Sequence, residues 1–503
     1  MFRDQTFEVV GFDSTWTKRG LSNQTAFTQT SEVLTDEAEV QTCGRASVAI
    51  QTDAPPKRGY SLMVDNSQEL ENFLKRVEPS VCAQLKRNLE SNAYDGYEVC
   101  SEETTSTVSC LHTLTEASLK FEFQCTALAW SCTGSVLAAS FGLHDHQNWC
   151  SHKSMLCTWN VDRSRLNSKK ADVTIEVPNC LMCVAFHPEQ PGVIAGGTFS
   201  GELRIWNIGA EGDPLVATSH FNNLVHQEPV SKVCWVPCEE DQKQRHLLLS
   251  LGNDGKVLLW KWVAAELQLV NGFRLLTESV PRSLRVSKAK GDDPMGGTCL
   301  SFSHEDSNLF VVGTEGGGLF KCSLHTSTAT LVDTNTVEAN LRSPINFSFR
   351  PRHGPTYCVN CSPFHRNLFL ACGTDAAVGL YSMLDASPLL SVEPGQGYLF
   401  AVSWSTSRPL VFAVGTADGQ VLLYDLKVSH LKPAVKLDAS PDQRAIYSVE
   451  YNPKRPQLLA SGDASGVVKV WRLNTQLSVQ AQGSDEREQL NKIAMETLTT
   501  AAL

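Results

Sequence analysis

Four side chains of the kind that zinc prefers, His144, His146, Cys150 and His152, fall within nine residues, with Asp145 between the first two. Their spacing matches no recognised ligand pattern, so they read as polar side chains of an irregular loop, and no metal is expected. Two Cys-x-x-Cys pairs, Cys180 with Cys183 and Cys358 with Cys361, each lead into an apolar run. A redox dithiol needs a helix N-terminus or a cation to lower its pKa, and buried strand cysteines fit these runs better. No Gly-x-x-x-x-Gly-Lys-Ser/Thr phosphate loop occurs, only the echo Asp254-Gly255-Lys256, and there is no His-Glu-x-x-His. Segments 197–201 and 462–466 place serine one position late for a Gly-x-Ser-x-Gly elbow. Neither catalysis nor a resident cofactor is expected.

The chemistry that remains is recognition. Gln-Thr recurs at Gln24-Thr25, Gln29-Thr30, Gln41-Thr42 and Gln51-Thr52. Three copies sit in a β-branched or threonine setting, as Thr28-Gln29-Thr30, Val40-Gln41-Thr42 and Ile50-Gln51-Thr52. Such side chains favour an extended strand, which can dock on the edge of a partner's sheet, and glutamine offers both donor and acceptor. The pattern resembles the Thr-Gln-Thr motif bound by the eight-kilodalton dynein light chain, a dimer that takes two strands in parallel. Around these motifs, residues 1–60 lack any sustained apolar period and are rich in Thr, Gln, Ser and acids, which reads as a disordered arm.

Segment 61–107 holds a helix and a linker. Leu70, Phe73, Leu74, Val77, Val81, Leu85 and Leu89 recur every three or four residues behind the capping candidates Asp65-Asn66-Ser67. Pro79 is expected to break or kink this helix, giving two pieces near 67–78 and 80–91. Its single apolar stripe needs a cover, supplied either by a partner or by the domain that follows.

From Phe121 onward one pattern recurs: an apolar strand, a second strand closing on small residues, a Gly-containing turn, and a strand ending in an aromatic or apolar residue. The closing positions Trp159, Trp206, Trp260, Cys322, Tyr381, Tyr424 and Trp471 define seven copies, with insertions at 264–294 and 326–355. The reading is all-β: a seven-bladed WD-repeat β-propeller over 108–482, each copy giving three strands and the stretch after it the outer fourth. Asp254-Gly255, Asp418-Gly419, Ser200-Gly201 and Ser465-Gly466 serve as two-residue hairpin turns. The ring is expected to close by a strand at 108–114, in preference to 477–482. No Gly-His precedes the first strands and no Trp-Asp occurs, Tyr424-Asp425 being nearest, so the hydrogen-bonded tetrad of WD blades is expected to be missing from most blades. In the tail, 483–503, Leu490, Ile493, Ala494 and Leu498 suggest a short helix free to fray.

Composition narrows the function classes. Of 503 residues, 43 are Lys or Arg and 54 are Asp or Glu, a net charge of −11 with no basic stripe, which argues against a nucleic-acid partner. No apolar run approaches a membrane span and the first residues lack a signal-peptide block, so an intracellular chain without membrane insertion is expected. The 17 cysteines then read as reduced thiols on buried strands.

The order of arm, helix and propeller resembles the dynein intermediate chain family, in particular its cytoplasmic dynein-2 branch. Phe73-Leu74-Lys75-Arg76-Val77-Glu78, Tyr94-Asp95-Gly96-Tyr97-Glu98-Val99, Val108-Ser109-Cys110-Leu111 and Cys361-Ser362-Pro363-Phe364-His365-Arg366 carry the likeness. It implies a non-catalytic scaffold of the motor of retrograde intraciliary transport, located in cytoplasm, cytoskeleton and cilium. The Gln-Thr motifs would bind the eight-kilodalton light chain, the helix a roadblock-type light chain, and the propeller the dynein-2 heavy chain, beside a second intermediate chain. Motor energy would come from that heavy chain. A rival reading, the substrate receptor of a ubiquitin ligase, usually needs Trp-Asp-x-Arg closing a third strand, and none occurs.

Overall fold

In the computed structural model, the described residues are 67–90, 107–119, 123–146, 150, 152–219, 225–238, 245–280, 293–325, 341–479 and 486–500. The three Gln-Thr motifs at 28–30, 40–42 and 50–52 therefore lie outside them. The chain divides into a unit ending at Glu90 and a unit from Ser91 to Leu503.

In the first unit, α1 runs unbroken from Ser67 to Glu90 with Pro79 inside it. This corrects the expected division into two pieces. Proline removes one N–H from the helical ladder, and beside it the Ser80 hydroxyl donates to the Val77 carbonyl at 3.0 Å. Glu71 and Lys75, one turn apart, pair at 2.6 Å along the surface.

The second unit is the propeller. Its innermost strands are Gln124–Trp130, Leu181–Phe186, Val230–Pro237, Gly297–Phe302, Thr356–Cys361, Leu399–Trp404 and Ile446–Tyr451. Each packs on the next and the last packs on the first, which closes a ring of seven. Five blades are separate four-stranded sheets; the second and third join into one eight-stranded sheet through a single parallel bridge, Glu266 to Thr218. The outer strands Glu266–Arg274 and Ile345–Ser348 fall inside the two insertions.

Blades stacked on both faces leave the middle strands no solvent side. Val193–Thr198, Leu368–Gly373, Val411–Thr416 and Leu458–Asp463 are accordingly buried at every position. All seven innermost strands share a register shift just inside their start, for example between Leu181 and Cys183 or Thr356 and Cys358. Such a bulge bends the strand and re-aims its side chains. The hairpin glycines Gly201, Gly255, Gly419 and Gly466 have φ of +87°, +73°, +78° and +75°, as their turns require. At Gly201 a Cβ would also strike the His226 carbonyl.

Closure uses the earlier of the two candidate strands: Ser109–Leu114 pairs antiparallel with Val468–Arg472 as the fourth strand of the last blade. The later candidate begins in a helical turn instead, α2 (Thr475–Ser478), capped by the Asn474 carboxamide accepting from the Leu477 N–H at 3.0 Å. Bonds across the seam repeat the closure. The Trp130 indole donates to the Glu450 carbonyl at 3.2 Å, the Asn452 amide to the Gly134 carbonyl at 2.7 Å, and the Arg455 guanidinium to Asp162 at 2.7 Å.

Among the described residues, one blade holds a complete tetrad. In the third, the Trp260 indole donates to Ser250 Oγ at 2.8 Å, Ser250 Oγ meets His226 Nε2 at 2.8 Å, and His226 Nδ1 meets Asp254 at 3.0 Å. Burial pushes the Asp254 carboxyl upward, but the bonds from His226 and from the Lys256 N–H outweigh it and hold the group below its ordinary range. The last blade repeats the inner half, with the Trp471 indole on Ser461 Oγ at 2.9 Å.

The tail forms α3, Glu486–Thr500, and it is docked. Leu490 and Ala494 are buried in a cluster with Leu410, Leu426, Leu380 and Val392, with Ile493 at its margin. Glu486 reaches the buried Arg408 guanidinium at 2.7 Å, and Arg408 also meets Asp425 at 3.2 Å and the Gln476 carbonyl. Asp425, half of the Tyr-Asp pair that echoes Trp-Asp, thus serves as a counter-ion to an arginine.

Candidate functional site

Two places concentrate side chains whose chemistry the packing of the ring does not use up. The first is the apolar face of α1. Leu70, Phe73, Leu74, Val81 and Leu85 are exposed, at 43%, 49%, 55%, 46% and 55%, and Val77 between them is half-buried. Five large apolar side chains left about half exposed on one helix forgo of the order of 1 kcal/mol each relative to full burial. The Arg76 guanidinium lies 5.7 Å from the Phe73 ring and shields part of one. The face is shaped as helix-in-groove anchors are, at three- and four-residue spacing. For Leu89, the last residue of the stripe, only its place in the helix is described.

The second place is the loop between Val136–Gly142 and Ser154–Asn160 of the first blade. Of the four ligand candidates there, the structure brings together three and separates one. His144 turns away, its ring edge-on to Tyr447 with centroids 4.5 Å apart. His146, Cys150 and His152 converge instead with Cys180, and one donor atom from each lies within 4.8 Å of all the others. Cys180 opens the next blade, one residue before its innermost strand. Sequence reasoning assigned it to a Cys-x-x-Cys pair, yet alternation sends its partner Cys183 elsewhere, where the thiol meets the Val230 carbonyl at 3.3 Å. The signal that could have found Cys180 is topological: in a propeller the connection into one blade lies beside the middle loop of the blade before.

The other dithiol separates in the same way. Cys358 Sγ meets the Val402 carbonyl at 3.4 Å and Cys361 Sγ the Ser301 carbonyl at 3.4 Å. Burial pushes the Cys183 and Cys361 thiols up to about 12, the opposite of what a nucleophile needs. Among the described cysteines none is in a disulfide. No described helix is long and apolar enough to cross a membrane.

No protein-family model matches the chain. Individual proteins do. The chain is 43% identical to cytoplasmic dynein 2 intermediate chain 2 of Mus musculus over 503 residues, covering 99% of this chain and 93% of the mouse protein. It is 41% identical to the protein of the same name from Homo sapiens over 427 residues, 84% of this chain and 79% of the human one. A more distant likeness, 26% over 323 residues, joins 62% of this chain to 35% of dynein axonemal intermediate chain 4 of Homo sapiens.

Proposed function

The chain belongs to the dynein intermediate chain family, in its cytoplasmic dynein 2 branch, and from that premise we propose that it is a scaffold subunit of the dynein-2 complex. Membership makes it a non-catalytic subunit. The propeller holds the heavy-chain tail, α1 binds a roadblock-type light chain, and Gln29, Gln41 and Gln51 with their flanking residues bind the eight-kilodalton light chain. The dimeric light chains bundle the arm to that of a second intermediate chain. The complex works in retrograde intraciliary transport and cilium assembly, which places the chain in cytoplasm, cytoskeleton and cilium.

The observation that carries this reading is the exposed apolar face of α1 on a chain that aligns with a dynein-2 intermediate chain along nearly its whole length. The mechanism is multivalent. Each strand-sized contact is weak, but a bivalent partner turns the second contact into an intramolecular event at raised effective concentration.

The test is a native pull-down with mass spectrometry on the whole chain and on residues 108–503, which keep the closing strand. The heavy chain should follow both and the light chains only the whole chain; cullin adaptors on the propeller would overturn the assignment. Replacing Gln29, Gln41 and Gln51 together should cost far more eight-kilodalton light chain than any one replacement. Equal losses from single and triple variants would refute multivalency.

A further inference from the structure

The convergence of His146, Cys150, His152 and Cys180 goes beyond a scaffold's needs, and we propose that these four residues bind one structural zinc ion. The donor set is two thiolates and two imidazoles, which zinc takes in tetrahedral sites closed by four protein ligands. Around a tetrahedral zinc, with metal–sulfur about 2.3 Å and metal–nitrogen about 2.0–2.1 Å, ligand atoms stand roughly 3.3–3.8 Å apart. Here all four donors already lie within 4.8 Å of one another, and Cys150 Sγ is 3.9 Å from His152 Nδ1. Small side-chain rotations close the remainder.

Three further features suit a metal better than a polar loop. Both ring nitrogens of His146 are buried, and among the described residues neither forms a hydrogen bond of normal geometry, although the His144 backbone lies near the ring. An imidazole so placed loses hydration with nothing in return, a cost that a coordinate bond removes. That ring is held in place, stacked on Phe199 of the second blade with centroids 3.8 Å apart. Both sulfurs, moreover, accept backbone N–H groups: Cys150 Sγ from Cys180 at 3.3 Å and Cys180 Sγ from Leu143 at 3.4 Å. Amides aimed at sulfur stabilise a thiolate and orient it, as outer-shell partners of zinc ligands do.

The site would do a mechanical job. His146, Cys150 and His152 belong to the middle loop of the first blade, whereas Cys180 begins the second blade and has its carbonyl held by the Phe199 N–H at 2.8 Å. One ion therefore staples two adjacent blades at a seam. Thiolate ligands exclude magnesium and calcium, and the mixed sulfur–nitrogen set favours zinc over an iron–sulfur cluster.

The test uses the full chain, purified under reducing conditions without chelator and then supplied with Zn2+ against a competing chromophoric chelator. About one zinc per chain is expected by elemental analysis, with near-complete loss in the Cys150→Ser/Cys180→Ser double variant. His152→Gln, at an exposed ligand, guards against misfolding: it should keep the parent's circular dichroism while losing most of the zinc. Cobalt exchanged into the parent should show tetrahedral ligand-field bands and a sulfur-to-cobalt charge-transfer band, both absent from the variants. Failure of the folded parent to take zinc, whether its thiols are reduced or joined as a disulfide, overturns the proposal. So does zinc content that both variants leave unchanged.

Discussion

Helices α1 and α3 stand on either side of the propeller in the chain and carry the same kind of signal, apolar residues spaced by three and four. Their fates are opposite. Leu74 and Leu85 of α1 are each 55% exposed, whereas Leu490 and Ala494 of α3 are 0% and 6% exposed. Hydrophobicity does not separate them. What α3 adds is a carboxylate, Glu486, that meets a guanidinium buried in the sixth blade; in α1 the Glu71–Lys75 pair and the Arg76–Phe73 contact run along the helix itself. Periodicity reports that a face wants cover; a specific polar partner decides which surface supplies it.

The difference between the two helices rests first on Glu486. Glu486→Ala leaves Arg408 buried with Asp425 and the Gln476 carbonyl, so the loss should be about 3 kcal/mol, the low end of the range for breaking a buried pair. Urea unfolding of the full chain, with hydrogen exchange along α3, should show the helix released; an unchanged midpoint would mean that the apolar contacts suffice. Leu490→Ala should cost about 2–3 kcal/mol. Combined with Glu486→Ala it should cost less than the sum, because both changes release one helix. Strict additivity would show that α3 does not dock as a unit.

A smaller effect, internal to the ring, supplies the control. His187 Nδ1 accepts the N–H groups of Glu189 and Gln190, both at 3.1 Å, and burial pushes the imidazole down to about 4. Because the folded pKa lies below the unfolded value of about 6.5, the stabilisation is complete above 6.5 and is lost as pH falls toward 4. His187→Asn, which mimics Asn452 at the equivalent turn of the last blade, should remove of the order of 1 kcal/mol of that pH dependence without releasing α3. Smallest of all on stability is Leu74→Asp in α1, within about 0.5 kcal/mol. If a roadblock-type light chain covers this face, the same change should abolish its co-purification. Loss of stability with binding intact would mean that the stripe serves the chain's own folding.

The repeats were legible in the chain because strand patterning, hairpin glycines and closing aromatics are local. The innermost strand ending at Phe186, the turn at Gly201 and the closing Trp206 could be read in order, and the seven copies with the closing strand stand where that reading put them. What escaped depends on contacts made after folding. His226 completes a tetrad from a connection of irregular length, so no fixed offset marks it. Pro79 looked like a helix breaker because the penalty is local, and the continuous helix shows that one lost bond is tolerated. Cys180 is masked by its Cys-x-x-Cys spacing with Cys183, since a sequence displays chain adjacency and not ring adjacency. The register shift shared by the innermost strands also escaped, because a bulge interrupts the very alternation by which strands are recognised.

The closing strand sets a timetable for synthesis. Residues 109–114 leave the ribosome before any blade exists, yet their hydrogen-bonding edge is the strand ending at Arg472 in the last blade, made after the other six. Until then the segment has no partner strand and is open to any other edge nearby. The Gln-Thr segments at 28–30, 40–42 and 50–52 precede it and emerge sooner, so any partner that recognises them can load while the ring is still an open arc.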